Sequence, residues 1–184
     1  MKKSWVLAVM IALFSCQWSQ EPMVRTYYNT YLDEALYKEI PMEEYTTYGE
    51  LLNKIEEVWC NHGIPVIHYQ HAGILKKLHV FAFCEDVIDE FRERDVILLK
   101  HGDIYKKSMK VNKDSLSKLI QKDLQNNGRD ANYARSPHKL IFLIEHNPSA
   151  PIEEFKETLE TLTRALDITG APEGVRILLS HRVK

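Results

Sequence analysis

Hydrophobic positions change period along this chain, and each change predicts where a strand gives way to a helix. Ile152, Phe155, Leu159, Leu162 and Leu166 step by three and four residues along one stripe, the period of a helix with a single buried face. Pro151 opens that helix, where a missing N–H does no harm. Glu153 and Glu154 suit its positive end, and Gly170 and Pro172 close it. Asp114–Gln125 repeats the pattern with Leu116, Leu119, Ile120 and Leu124. Leu140–Ile144 is instead an unbroken apolar run, as in a strand buried on both faces. Asp95–Lys100 and Ile104–Val111 are strand candidates joined at His101-Gly102-Asp103, where glycine permits the positive φ of a tight hairpin. Val175–Ser180 is a last strand. Residues 95–180 therefore predict the order β-β-α-β-α-β. Crossover helices imply parallel strands, and right-handed crossovers put both helices on one face. Asn126–His138 is polar and has no apolar period, and loops of that length are commonly functional or mobile.

The first half is less regular. Val24, Tyr28, Tyr31, Leu32, Ala35, Leu36 and Ile40 recur at helical steps and predict a helical N-terminal arm ended by Pro41. Thr47 and Glu50 have the spacing of a capping box. The helix behind it carries Leu51, Leu52, Ile55, Val58 and Trp59 on one face, and Gly63 stops it. Ile64–Tyr69 and His79–Cys84 are short β-prone runs, and Asp86–Arg92 reads as a brief helix. Pro41-Met42-Glu43-Glu44-Tyr45 echoes Pro151-Ile152-Glu153-Glu154-Phe155, each before a helix. The expected class is α+β (or α/β), a mixed sheet with helices packed on it. Residues 24–93 form a mixed region and 94–184 an α+β domain.

The N-terminus has a different pattern. Lys2 and Lys3 precede ten apolar residues, Trp5–Phe14. A bilayer-spanning helix needs about 20, so the run reads as the core of a signal peptide over residues 1–15. Its end, Leu13-Phe14-Ser15-Cys16, resembles a bacterial lipoprotein lipobox. The resemblance implies a diacylglyceryl group on Cys16, a tether over 16–23 and a membrane partner reached through that lipid. Gln17 is not the aspartate that retains such proteins at the inner membrane. The implied site is the outer membrane, with the domain facing the periplasm.

The remaining cysteines, Cys60 and Cys84, form an even pair in an oxidising compartment. A disulfide and two buried free thiols both fit the sequence. Net charge is −2 with both signs interspersed, so no nucleic-acid footprint is expected. Cys60, His62, His68, His71, His79 and Cys84 crowd one stretch. His68 and His71 are the weak metal candidates, but in a strand they point to opposite faces, and no metal site is expected. Adjacent acid pairs such as Glu56-Glu57 diverge on a helix and form no acid/base pair. The chain has no phosphate loop, no nucleophile elbow and no His-Glu-x-x-His. No catalytic residue and no cofactor is therefore expected.

Residues Asp95–Ser180, with a glycine hairpin, a buried strand ending in Glu145-His146-Asn147, a proline-opened helix and a short last strand, resemble the periplasmic domain of the ExbD/TolR family. That resemblance implies the fold and a habit of pairing with itself or with other envelope proteins. Members of that family carry a transmembrane helix with a proton-handling aspartate. Here the apolar segment Trp5–Phe14 has no acid, so the motor role and its residues do not transfer. Six tyrosines lie between Tyr27 and Tyr48, and tyrosine suits wet interfaces. Tyr27, Tyr28 and Tyr31, with Arg129, Tyr133 and Arg135 of the polar loop, are the expected partner contacts. The first functional expectation is a non-enzymatic interaction module, tied to an energy-transducing or biopolymer transport system. A small-substrate hydrolase-type envelope enzyme is the second and a metal-binding envelope protein the third.

Overall fold

The computed structural model describes residues 22–27, 33–84, 91–170 and 175–180. They form, in order, β1 (Met23–Tyr27), β2 (Tyr37–Pro41), α1 (Tyr48–Cys60), β3 (Ile64–His71), β4 (Ile74–Ala82), β5 (Val96–Lys100), β6 (Asp103–Lys106), β7 (Met109–Val111), α2 (Leu116–Asn126), β8 (Ile141–Glu145), α3 (Ile152–Thr169) and β9 (Arg176–Ser180). The strands make one nine-stranded mixed sheet, β2-β3-β4-β9-β8-β5-β6-β7, with β1 alongside β4. The class is α+β, as the hydrophobic pattern predicts.

The second half follows its apolar periods. β5, β8 and β9 are parallel neighbours, linked by α2 and α3, which pack on each other. Ile97 and Leu99, Phe142 and Ile144, and Ile177 and Leu179 share one face of these strands. They meet the α3 stripe of Phe155, Leu159, Leu162 and Leu166 in the core. Gly170 ends α3 in the left-handed conformation, with φ +61°.

The boundary expected at residue 93 is not a break in the sheet. β4 pairs with β9 through Val80↔Ile177, Phe81↔Leu178 and Ala82↔Leu179. α1 reaches across the same seam. Its Thr47–Glu50 capping box forms as predicted. Its first residue, Tyr48, touches the ends of β8 and β9. Residues 46–49 run antiparallel to 148–152, with Tyr48 N–H donating to the Ala150 carbonyl and Ile152 N–H to the Thr46 carbonyl. Only glycine fits at position 49, where a Cβ would stand 2.8 Å from the Pro148 carbonyl oxygen. The two echoing Pro-x-Glu-Glu segments thus lead into helices whose first turns abut.

Two expectations change. The N-terminal arm is extended rather than helical where it is described. Met23–Tyr27 pairs with Ile74–Leu78 and Tyr37–Pro41 with Ile64–His68. Val, Tyr and Ile are strand formers as well as members of a helical stripe, and the open edges of β3 and β4 supply the backbone partners that decide between them. Residues 28–32, with Tyr28 and Tyr31, lie outside the described residues. The strand expected over Ile104–Val111 is two strands. Lys107 and Ser108 turn the chain at φ +48° and +64°, a hairpin made without the usual Asn or Gly, so the second half reads β-β-β-α-β-α-β. The brief helix at Asp86–Arg92 falls mostly on 85–90, outside the described residues, and Arg92 leads into a 3-10 turn at Glu93–Asp95.

Cys60, the last residue of α1, is disulfide-bonded to Cys84 just beyond β4, with Cα atoms 5.8 Å apart and 24 positions of chain between them. Closing a loop of that length stabilises a fold by about 3 kcal/mol. Replacing both cysteines with serine is expected to lower the unfolding free energy in urea by ~2–4 kcal/mol. An unchanged midpoint would contradict a structural role for the bond.

Candidate functional site

β5 and β8 are parallel neighbours that end side by side, with Lys100 opposite Glu145. The next residue on each is a histidine, His101 and His146. Ligands of open α/β sheets bind beyond the carboxyl ends of such strands. A bowl of about 280 Å³ opens there, floored by Leu99, Ile104 and His146 and walled by residues of α3.

His146 is 1% exposed. Its ring lies 5.5 Å from that of Tyr48 and 5.9 Å from those of Phe155 and His101, centroid to centroid. Nε2 is 3.0 Å from Thr158 Oγ1, and the Thr158 hydroxyl donates to the Glu154 carbonyl at 3.1 Å. A hydroxyl has one proton. With that proton on the Glu154 carbonyl Thr158 Oγ1 accepts from Nε2–H; with it on Nε2 the ring proton sits on Nδ1. Nδ1 has no partner. Burial, reinforced by His101, lowers the His146 pKa to about 4, so the ring is neutral at neutral pH.

The residues singled out in the sequence are scattered. Tyr27 is buried, and its hydroxyl donates to Asp167 on α3, so it offers no contact surface. Arg135 is held by Asp95 through its backbone N–H and its guanidinium. Tyr133 is half-buried, with the Lys122 ammonium 5.7 Å over its ring, and Arg129 is exposed. Their loop is tied down. The Asn126 side chain donates to the carbonyls of Asp130, Tyr133 and Ala134. Buried Asp123 accepts from Ala134 N–H and from buried Lys106. His68 faces Glu39 on β2 and His71 faces Glu160 on α3, the opposite directions expected of a strand. Among the described residues, no three His, Cys, Asp or Glu side chains gather around a common point. Cys16 lies outside the described residues.

His101 and His146 went unnoticed in the sequence. The available signal was positional, one histidine directly after each of two predicted parallel strands. On the opposite face of the sheet, register lines up Tyr105, Leu98, Leu143, Leu178 and Phe81 in one row. Leu178 is buried, whereas Leu98, Leu143 and Val96 are only half-buried. They line a groove of about 440 Å³ rimmed by Glu93, Lys100 and Lys107.

Comparison with protein-family models, curated proteins and solved structures finds no match to this chain. The site is therefore read from its own chemistry.

The two buried histidines set a pH dependence. Burial holds His79, stacked edge-on at 4.4 Å against Tyr37, at a pKa of about 4, as it does His146. The unfolded chain takes up these protons near the ordinary value of 6.5. Stability is therefore fully present above that value and is lost as pH falls toward 4. The loss is at most about 3 kcal/mol per histidine. Urea midpoints are expected to drop between pH 7 and pH 4.5, and less steeply in His146→Asn. A flat profile across that window would contradict buried neutral histidines.

Proposed function

We propose that this chain is an exported envelope protein, anchored by lipid on Cys16 at the outer membrane and facing the periplasm, that works as a non-enzymatic interaction module. The Cys60–Cys84 bond supports the address, because disulfides persist in oxidising compartments. The observation that carries the module reading is the half-buried strip of Val96, Leu98 and Leu143, with Tyr105 beside it, on the sheet face away from the core helices. Apolar surface rimmed by charge is characteristic of protein contact sites. The partner is an envelope protein or a second copy of this chain. The ExbD/TolR-like order of elements makes energy-transducing and biopolymer transport assemblies the first place to look.

The bowl over His146 favours a second reading, a small-substrate enzyme of the envelope. A buried imidazole, neutral at neutral pH, lines that bowl, and histidine is the side chain that most often serves as a general base. The metal-binding reading loses its thiolates, since Cys60 and Cys84 hold each other.

A photo-crosslinking residue at Leu98, in cells producing the full chain, tests the proposal. The expected result is a discrete adduct in the membrane fraction on a palmitate-labelled protein. A probe at Lys118, exposed on α2, gives none, and Cys16→Ala abolishes the label and releases the protein from the membrane. Equal crosslinking from the two positions would defeat the module reading. A Cys16→Ala protein that stays labelled and membrane-bound would defeat the anchor.

A further inference from the structure

Exposed apolar side chains gather at one corner of the molecule. Among the described residues five large hydrophobic side chains are exposed, and three of them, Met23, Val24 and Ile168, belong to the start of β1 and the end of α3. The two elements are fastened together there. Arg25 pairs with Asp167 at 2.7 Å, and the Tyr27 hydroxyl donates to the same carboxylate. Alternation along β1 puts Met23 on the side of Arg25 and Tyr27, with Val24 on the opposite face of the same strand end, and Ile168 directly follows Asp167. Met23 is also the register partner of Ile74, so the exposed Ala72-Gly73 turn between β3 and β4 adjoins it. The acids of this corner are held, Asp167 by Arg25 and Glu160 by His71. Arg164, one helical turn before Ile168, is exposed. The corner is thus apolar with a cationic border, a composition that marks contact sites for proteins or membranes.

Chain length selects between the two. Six residues separate Cys16 from Met23, and that stretch reaches at most about 25 Å when fully extended. Resting on the lipid anchor read at Cys16 above, we propose that this corner lies on the phospholipid surface that holds the anchor, with Met23, Val24 and Ile168 entering the interface and Arg164 at the level of the phosphates. Apolar side chains set among cations bind such a surface through buried area and attraction to anionic headgroups, and the arginine stem lies along apolar surface while its charge stays in the polar layer. The strand directions agree with this orientation. β1 is parallel to β4, β4 to β9 and β9 to β8, so the start of β1 is at the amino end of the parallel strands. The bowl at the carboxyl ends of β5 and β8 is then at the end away from the membrane.

The test uses the full mature chain, its Cys16 thiol coupled to a maleimide phospholipid in nanodiscs of phosphatidylethanolamine and phosphatidylglycerol. Methyl resonances are read with and without a lipid carrying a nitroxide on its headgroup. Met23 and Ile168 are expected to broaden severalfold more than Met109 and Leu36, which are exposed as well but lie elsewhere, Met109 on the edge strand β7 and Leu36 beside the end of β3 remote from the Ala72-Gly73 turn. Ile74 broadens with the first pair. Met23→Ser with Val24→Ser and Ile168→Ser, all three on the surface, should reduce the Ile74 effect to that of Met109 while circular dichroism stays unchanged, and Arg164→Glu should weaken it. Equal broadening of all four methyls, or an Ile74 effect indifferent to the triple substitution, would overturn the proposal. Broadening of Met23 and Ile168 no greater than that of Met109 would also overturn it and leave the corner to a protein partner. The chemical link holds the chain to the bilayer whether or not cells lipidate Cys16, so failure of the anchor itself shows separately, in the fractionation of Cys16→Ala.

Discussion

Tyr48 joins the two halves of this protein. It is fully buried at the start of α1. Its hydroxyl donates to the Ser180 carbonyl at 3.0 Å and accepts from Ser180 N–H at 3.1 Å, with the Ile144 carbonyl 3.3 Å away. Its ring leans on Phe155 and His146. A residue from the first half of the chain thereby caps the last peptides of β8 and β9. Burying a phenol without partners would be unfavourable; here the hydroxyl bonds to the backbone of Ser180 and Ile144. The β4–β9 pairing, the close approach at Gly49 and the seating of His146 all fall at or beside this contact.

Other polar groups work by the same logic at the opposite end of α3. Asp167 takes the Tyr27 hydroxyl at 2.8 Å and Arg25 at 2.7 Å, fastening β1. Lys76, on the strand beside it, gives its ammonium to Thr163. The loop after α2 is fastened by Asp123, Asn126 and Asp95. These are buried or half-buried groups whose partners lie far away in sequence. They define the structure through satisfaction of hydrogen bonds more than through net energy. That is why the polar loop over Asn126–His138, expected to be functional or mobile, is ordered around the Asn126 side chain.

Much of the second half was legible, because a buried face imposes its period. The α3 stripe, the unbroken apolar run of β8 and the Pro151 and Gly170 punctuation each had one reading. The N-terminal arm was read as helical, and its described residues are strands. Val24 is half-exposed and Met23 more so, so β1 shows no inside–outside alternation. Its strand state comes from the edge of β4, which local sequence does not reveal. The Lys107-Ser108 turn was missed because neither residue is typical of positive φ. The His101–His146 pair could not be read from spacing, since the two lie 45 positions apart and become neighbours only through the parallel pairing of β5 with β8.

One continuous sheet thus carries two distinct surfaces, an apolar groove behind it and a polar bowl at its carboxyl end. Native-state hydrogen exchange tests that unity most directly, read at Ile67 and Leu78 in the first half and Phe142 and Leu178 in the second. All four amides are predicted to exchange with one common opening free energy. Tyr48→Phe, which removes the hydroxyl's hydrogen bonds to Ser180, should lower all four equally, by about 1–3 kcal/mol. Separate opening energies for the two halves, or a Tyr48→Phe effect confined to β8 and β9, would contradict the account.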